Sequence, residues 1–262
     1  MATRAHRAPA QLEAYVLHHY DWSESSLILD LYTREQGRLA VAAKGAKRPH
    51  SQLRAVLLPF QRIQVTLGRT PASETAPEVQ TLRGAEWAGG QPMLGGGALF
   101  SGFYVNELLL KLLARHDPHR ALFDAYTVTL AALAKGDDVE AEAALRAFEL
   151  TLLRETGVLP DLSLVTLTQQ PLQADSSYAL LPDAGVVATR DDEASISAGT
   201  LVQLQAALQY GSTAVCVVRS RNRYRQRARN PYTWRGFRRV PGLPAKRGGP
   251  GISFRRDRPT NA

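Results

Sequence analysis

Cysteine is almost absent from this 262-residue chain, which carries only Cys216. One thiol cannot build an internal disulfide framework or a cysteine-rich zinc site, and it points to a reducing compartment. Long apolar runs are missing as well. The best stretch, residues 98–114, is interrupted by Asn106, Glu107 and Lys111, whereas a membrane-spanning helix needs roughly 18 apolar residues in a row. The opening MATRAHRAPAQLE is charged and lacks the apolar stretch of a signal peptide. The expectation is a soluble, cytoplasmic protein with no membrane partner. Enzyme signatures are equally scarce: no Walker A, G-x-G-x-x-G, G-x-S-x-G or H-E-x-x-H sequence occurs. His116-Asp117-Pro118-His119 is the one His/Asp cluster, and Asp117 reads better as a helix N-cap before Pro118 than as a metal or acid–base group. No catalytic constellation, cofactor or metal is expected.

What the sequence does have is charge, unevenly placed. The formal net charge is +8, yet residues 219–262 alone hold 14 Lys+Arg against one acid, Asp257. Residues 34–69 carry eight bases against one acid, Glu35, while residues 90–218 carry 7 bases against 15 acids. Two cationic zones therefore flank an acidic middle, a pattern suited to a polyanion partner and a separate protein-facing surface.

The first ninety residues read as short strands. An apolar run spans 14–19. Leu27, Leu29 and Leu31 alternate, and after a Gln36-Gly37 turn so do Leu39, Val41 and Ala43. Runs at 57–68, with Pro59 near its start, and at 78–87 complete five strands. Five short strands with a basic connector after the third predict a small closed barrel of OB-fold type over residues 1–88. A glycine-rich break at 89–97 ends it.

Beyond the break the period becomes helical. Phe100, Phe103, Tyr104, Leu108 and Leu112 form one stripe, and Leu122, Phe123, Tyr126 and Leu130 a second that stops at Lys135-Gly136. Leu145, Phe148, Leu152 and Leu153 form a third, running from Asp137-Asp138 to Thr156-Gly157. With a further helix at 200–210, these predict an α-helical domain over 97–158 and 198–212, enclosing a weakly patterned insert at 159–197. Residues 213–262 read as a basic tail, disordered when unbound.

Arg34, Arg38, Lys44, Lys47, Arg48 and Arg54 concentrate around the connector after the third strand. Cations on a loop beside a barrel can follow a phosphate backbone without reading bases. The bland reading of such a run is a solvated loop. Tyr15, Tyr32 and Phe60 are candidate base-stacking groups, although aromatics in a small barrel more often belong to its core. In the tail Arg219, Arg221 and Arg223 open an alternating arginine series interleaved with Tyr224, Tyr232, Trp234 and Phe237, a secondary nucleic-acid-binding candidate. A solubilising tail, or an out-of-frame reading of a GC-rich gene, gives the same composition. His18 and His19 should point to opposite faces of a strand. Asp191-Asp192-Glu193 reads as a solvated acidic turn.

Together, YVLHHYDWSESSLILDLYTREQGRLAVAAKGAKRPHSQLRAVLLPF, SGFYVNELLLKLL, LFDAYTVTLAAL and FELTLLRETGVLPDL resemble the RecO family of bacterial recombination mediators. The likeness runs from about residue 15 to 162, and its most specific part is TREQGRL followed by AKGAKR. It implies an N-terminal OB-fold, a helical bundle and a small third module that often bears zinc. It also implies binding of single- and double-stranded DNA, annealing of complementary strands, and partnership with RecR and single-stranded-DNA-binding protein in loading RecA. The family's basic loop falls on Lys44, Lys47 and Arg48, with Arg54 following. Two departures stand out. Where many members carry paired cysteines this chain has Val165 and Thr168, and then residues near Ala188 and Asp191. The family also usually ends in helices, where this chain ends in arginine-rich sequence.

The resulting expectation is an α+β chain: an OB-fold barrel, then an α-helical domain with a small, degenerate zinc-finger-like insert, then a basic tail. It would bind DNA stoichiometrically in the nucleoid, without turnover. Two rival readings are an RNA-binding OB-fold module of translation or RNA processing, and a metal-dependent hydrolase using His116, Asp117 and His119.

Overall fold

The computed structural model describes residues 11–68, 78–90, 92–189 and 195–210. Strands β1 (Gln11–Asp21), β2 (Leu27–Thr33), β3 (Gly37–Ala43), β4 (Arg62–Leu67) and β5 (Val79–Trp87) close a barrel in the order β1-β2-β3-β5-β4. Only the β3–β5 pair is parallel. The period-two runs fill the barrel, with Leu29, Leu31, Leu39, Val41, Ile63 and Val65 meeting inside it. The fourth strand starts at Arg62 rather than in the run beginning at 57. Phe60 turns the chain there at φ 66°, and Pro59 makes only a lone bridge to Val16.

One helical turn, α1 (Leu53–Val56), precedes β4. Helices α2 (Gly96–Leu112), α3 (Arg120–Ala134) and α4 (Asp138–Glu155) follow the barrel. The α4 start is as its sequence suggests: Asp137 accepts from the Val139 and Glu140 amides, a cap worth about 1 kcal/mol. The α3 start differs. Its N-cap is His119, two residues beyond Asp117, and makes no side-chain cap hydrogen bond. Asp117 instead turns its carboxylate to His119, 3.3 Å away.

On α2 the buried face is not the aromatic stripe. Gly102, Val105, Asn106 and Leu109 face inward, while Phe100 is 75% exposed and Phe103, Tyr104 and Leu112 are also exposed. Two contacts set this rotation. A side chain at Gly102 would fall 2.9 Å from the Phe60 ring and 2.8 Å from Leu94, so the helix can approach only with glycine there. Asn106 is hydrogen-bonded inside at both its amide nitrogen and its oxygen, donating to the Leu17 carbonyl at 2.9 Å and accepting from the Tyr126 hydroxyl at 2.7 Å. Burial pushes the Tyr126 phenol well above its usual range, so it stays protonated and remains the donor.

The barrel and the helices share one core. Tyr15, Leu17, Tyr32 and Phe60 from the barrel pack with Val105, Leu109, Phe123, Tyr126 and Phe148 from the helices. Tyr15 meets Tyr126 edge-on at 5.0 Å. Candidate base-stackers Tyr15, Tyr32 and Phe60 are thus interior groups.

Arg38 ties the same junction with polar contacts. Its guanidinium donates to the carbonyls of Leu110 (2.5 Å) and Leu113 (2.8 Å), the last residues of α2 and its cap. Beside it lies the buried Asp30 carboxylate, 3.6 Å from Arg38 and 3.5 Å from Arg115. The Arg38 carbonyl accepts from the His116 amide. Alongside, Gly37 sits at φ 70°, where an added Cβ would lie 2.1 Å from the Asp117 carbonyl oxygen.

After α4, strands β6 (Ser177–Leu181), β7 (Gly185–Thr189) and β8 (Ile196–Ser197) form a sheet in the order β7-β6-β8, followed by α5 (Ala198–Tyr210). Leu162, Tyr178, Val186, Leu201 and Leu208 hold this module by apolar packing, and Val165 packs against them. Neither Val165, Thr168 nor Ala188 offers a metal donor; Asp191 and the Asp191-Asp192-Glu193 turn lie outside the described residues, as does the tail from 211 onward. Residues 159–189 and 195–197 are an apolar-cored turn and sheet unit.

Arg38→Met leaves Asp30 buried with Arg115 as its remaining cation and strips two carbonyls of their donor. Loss of one partner from a buried pair typically costs about 3–5 kcal/mol. Urea unfolding followed by circular dichroism should show a lower midpoint at unchanged slope; a shift worth under about 1 kcal/mol would mean the tie is dispensable.

Candidate nucleic-acid interface

The six candidate cations separate into two groups at opposite ends of one hairpin. In the β2–β3 register Leu27 pairs with Ala43 and Thr33 with Gly37, so Arg34 and Arg38 flank the closed end while Lys44 leaves the open end. Seven residues of strand put about 20 Å between them. Arg38 is buried, as described. Arg34 makes two 3.0 Å hydrogen bonds to Asp124 of α3, which raise its pKa, and shares a mixed-charge cleft with Glu13, Glu35 and Arg62. These two arginines clamp the barrel to the helices.

The other group forms a surface. After β3 the chain makes a series of tight turns: the Arg48 amide donates to the Gly45 carbonyl, Ser51 to Arg48, and Arg54 to Ser51. Ala46 is inserted into the barrel core. The Lys47 amide donates to the Ser25 carbonyl at 3.0 Å, and the Gly45 amide to the Ser26 hydroxyl at 3.4 Å. This connector is consequently stapled to the β1–β2 hairpin tip, residues 22–26, instead of swinging free.

From this base Lys44, Arg48 and Arg54 project into solvent. Among the described residues none of the three has a carboxylate partner; Lys47 alone is paired, with Asp21 at 3.1 Å. Fixed cations without counter-charges are what a polyanion needs, since it then displaces small ions rather than protein carboxylates. Between connector and hairpin tip lies an open cleft of about 330 Å³ lined by Trp22, Ser23, Ser25, Ser26, Lys44, Gly45 and Arg48.

Trp22 was not among the sequence candidates, and neither was Tyr20. Both are exposed, Trp22 by 57%. The signal lies in residues 18–22, where aromatic rings recur beside the turn-forming Ser-Glu-Ser-Ser. The histidines there also differ from expectation. They pair in continuous register with Asp30 and Leu29, yet the His18 and His19 rings stack at 5.9 Å.

Of the His/Asp cluster, Asp117 and His119 pair with each other. His119 lies between Asp117 and Glu155 (3.3 and 3.5 Å), while the His116 amide bonds to the barrel. Among the described residues no three His, Cys, Asp or Glu side chains are grouped to hold a metal ion, and no helix is long and apolar enough to cross a membrane. Arg219, Arg221 and Arg223 lie outside the described residues.

Comparison with known families fits this architecture. The family model for the recombination protein O N-terminal domain matches residues 8–88, and that for its C-terminal domain matches residues 96–230. The chain belongs to the RecO family. A DNA repair protein RecO from Variovorax paradoxus (strain S110) is 54% identical over 209 residues, 78% of each chain. Those of Verminephrobacter eiseniae (strain EF01-2) and Acidovorax ebreus (strain TPSY) are 50% and 51% identical, over 79% and 78% of this chain and 81% and 79% of theirs. The RecO N-terminal match covers the barrel, and the C-terminal match takes in the helices, the small sheet and the first arginines of the tail.

Asp21 is the one carboxylate paired within this cationic surface. Asp21→Asn frees Lys47 and removes a like charge from the path of a phosphate. Affinity for a random-sequence oligonucleotide should rise roughly two- to fivefold, an exposed-charge effect of about 1 kcal/mol or less, read by fluorescence anisotropy at low salt. Unchanged affinity would place the polyanion path elsewhere.

Proposed function

We propose that this RecO-family chain is a DNA repair and homologous recombination mediator that acts stoichiometrically and is not an enzyme. It binds single- and double-stranded DNA through Lys44, Lys47 and Arg48, with Arg54 extending the path. The observation that carries this reading is the carboxylate-poor cationic end of the barrel, held rigid by the hairpin staple. Arg34 and Arg38 act as structural clamps and not as DNA contacts. Arg219, Arg221 and Arg223 supply a second cationic segment of the sequence.

Two cationic segments suit annealing. Complementary strands repel each other, and neutralising phosphates on both lowers that repulsion. The chain accordingly anneals complementary strands coated with single-stranded-DNA-binding protein and, with RecR, promotes RecA loading. The acidic helical region faces these protein partners and keeps DNA on the barrel side. Its place of action is the cytoplasm, at the nucleoid.

The test is annealing of complementary oligonucleotides pre-coated with single-stranded-DNA-binding protein, without ATP or metal. Acceleration at protein amounts comparable to the DNA is expected. Lys44→Glu with Arg48→Glu should abolish it and flatten the salt dependence of binding by about two phosphate contacts, with thermal unfolding unchanged. An unaltered salt slope removes the loop from the site. A strong preference for structured RNA over DNA would instead favour an RNA-processing role.

A further inference from the structure

We propose that Trp22, at the tip of the β1–β2 hairpin, stacks on an unpaired nucleobase and gives the basic end of the barrel its selectivity for single strands over duplex. This rests on the DNA-binding reading above and goes beyond it, because phosphate neutralisation alone does not distinguish the two forms. Trp22 is the most exposed aromatic on the barrel face that carries Lys44 and Arg48, and it forms a wall of their common cleft. An indole held half in water beside two unpaired cations has no packing role to explain it: it belongs to none of the three apolar clusters.

The wall is preorganised. The Trp22 and Ser23 amides both donate to the Ser26 carbonyl at 3.3 Å, and Ser25 and Ser26 are tied to the connector. Little backbone ordering at the hairpin tip is therefore left for the bound state, which favours affinity. The cleft's other polar lining is serine hydroxyl and the two cations, with no carboxylate. A phosphate seated on Lys44 and Arg48 would leave the adjoining base beside the indole. In duplex DNA both faces of each base are already stacked, so only an unpaired base can use the indole.

The strand behind Trp22 continues the surface. Tyr20 is 48% exposed and meets His18 edge-on at 4.5 Å. Residues 18–21 pair only with β2, because the β4 partnership ends at Tyr15. That edge of β1 is open to a second base.

The experiment compares full-length wild type, Trp22→Ala, Trp22→Phe and the Lys44→Glu/Arg48→Glu double variant. Each is titrated against a mixed-sequence single strand and its duplex by anisotropy. Trp22→Ala should weaken single-strand binding about 5- to 100-fold, the range for loss of one stacked base. Its duplex binding should stay within about twofold and its salt slope unchanged, because no charge is removed. Trp22→Phe should retain most single-strand affinity. In a Trp87→Phe/Trp234→Phe background the remaining Trp22 fluorescence should be quenched by the single strand and not by the duplex or an abasic strand. Single-strand affinity unchanged in Trp22→Ala, or equal loss for both DNA forms, overturns the stacking assignment. If the double variant still weakens both forms in that case, the DNA-binding reading stands; if wild type binds neither form, both fall.

Discussion

The buried guanidinium of Arg38 is the contact on which the arrangement of this molecule turns. It reaches from the third strand to the end of α2, donates to two carbonyls that the helix terminus leaves unmatched, and lies beside the buried carboxylate of Asp30. Helix ends need partners, and buried charges need both counter-charge and hydrogen bonds. One side chain supplies donors to the helix end and a counter-charge to Asp30, although Asp30 Oδ1 and Arg38 Nε themselves make no hydrogen bond. Around it Tyr15, Tyr32, Phe123 and Tyr126 pack tilted or edge-on, and Asn106 joins β1 to α3 through two further hydrogen bonds. Barrel and helices are consequently one packed body across this junction.

That arrangement assigns the two ends of the β2–β3 hairpin different tasks. At the closed end Arg34, Arg38 and Arg62 are matched with Asp124, Asp30 and Glu13. At the open end Lys44, Arg48 and Arg54 stand on a connector anchored by Ala46 and by the hairpin serines. The first end supplies attachment, and the second offers a fixed positive surface with an indole beside it. Because the connector is held by backbone hydrogen bonds, its cations present a definite spacing to a ligand instead of a diffuse cloud.

Much of the fold was legible because its signals are local. Period-two alternation marked β2 and β3, short apolar runs marked the other three strands, and glycine and aspartate punctuation marked the bounds of α4, where Asp137 caps the helix as its position suggests. Two local rules misled. The aromatic row on α2 looks like a core stripe, yet Gly102 and the hydrogen-bonded Asn106 turn the opposite face inward. A polar residue is read as outward when its buried partners, Leu17 and Tyr126, lie 89 and 20 residues away in sequence. The His18 and His19 rings likewise stack on each other, which strand alternation does not announce.

The sequence by itself determined the barrel, the helices, the family and the presence of a basic connector, since composition, periodicity and short motifs are properties of neighbouring residues. Only the tertiary structure decided which cations are free. Arg38 and Lys44 look equivalent along the chain, six residues apart. One end of their strand meets α2 and the other meets water, so one side chain becomes a buried clamp and the other a solvent-facing charge. Exposure and charge pairing depend on what the distant chain places alongside. For the same reason Trp22 emerged as a surface group, and Tyr15, Tyr32 and Phe60 as core, only once the barrel had closed and the helices had covered one side of it.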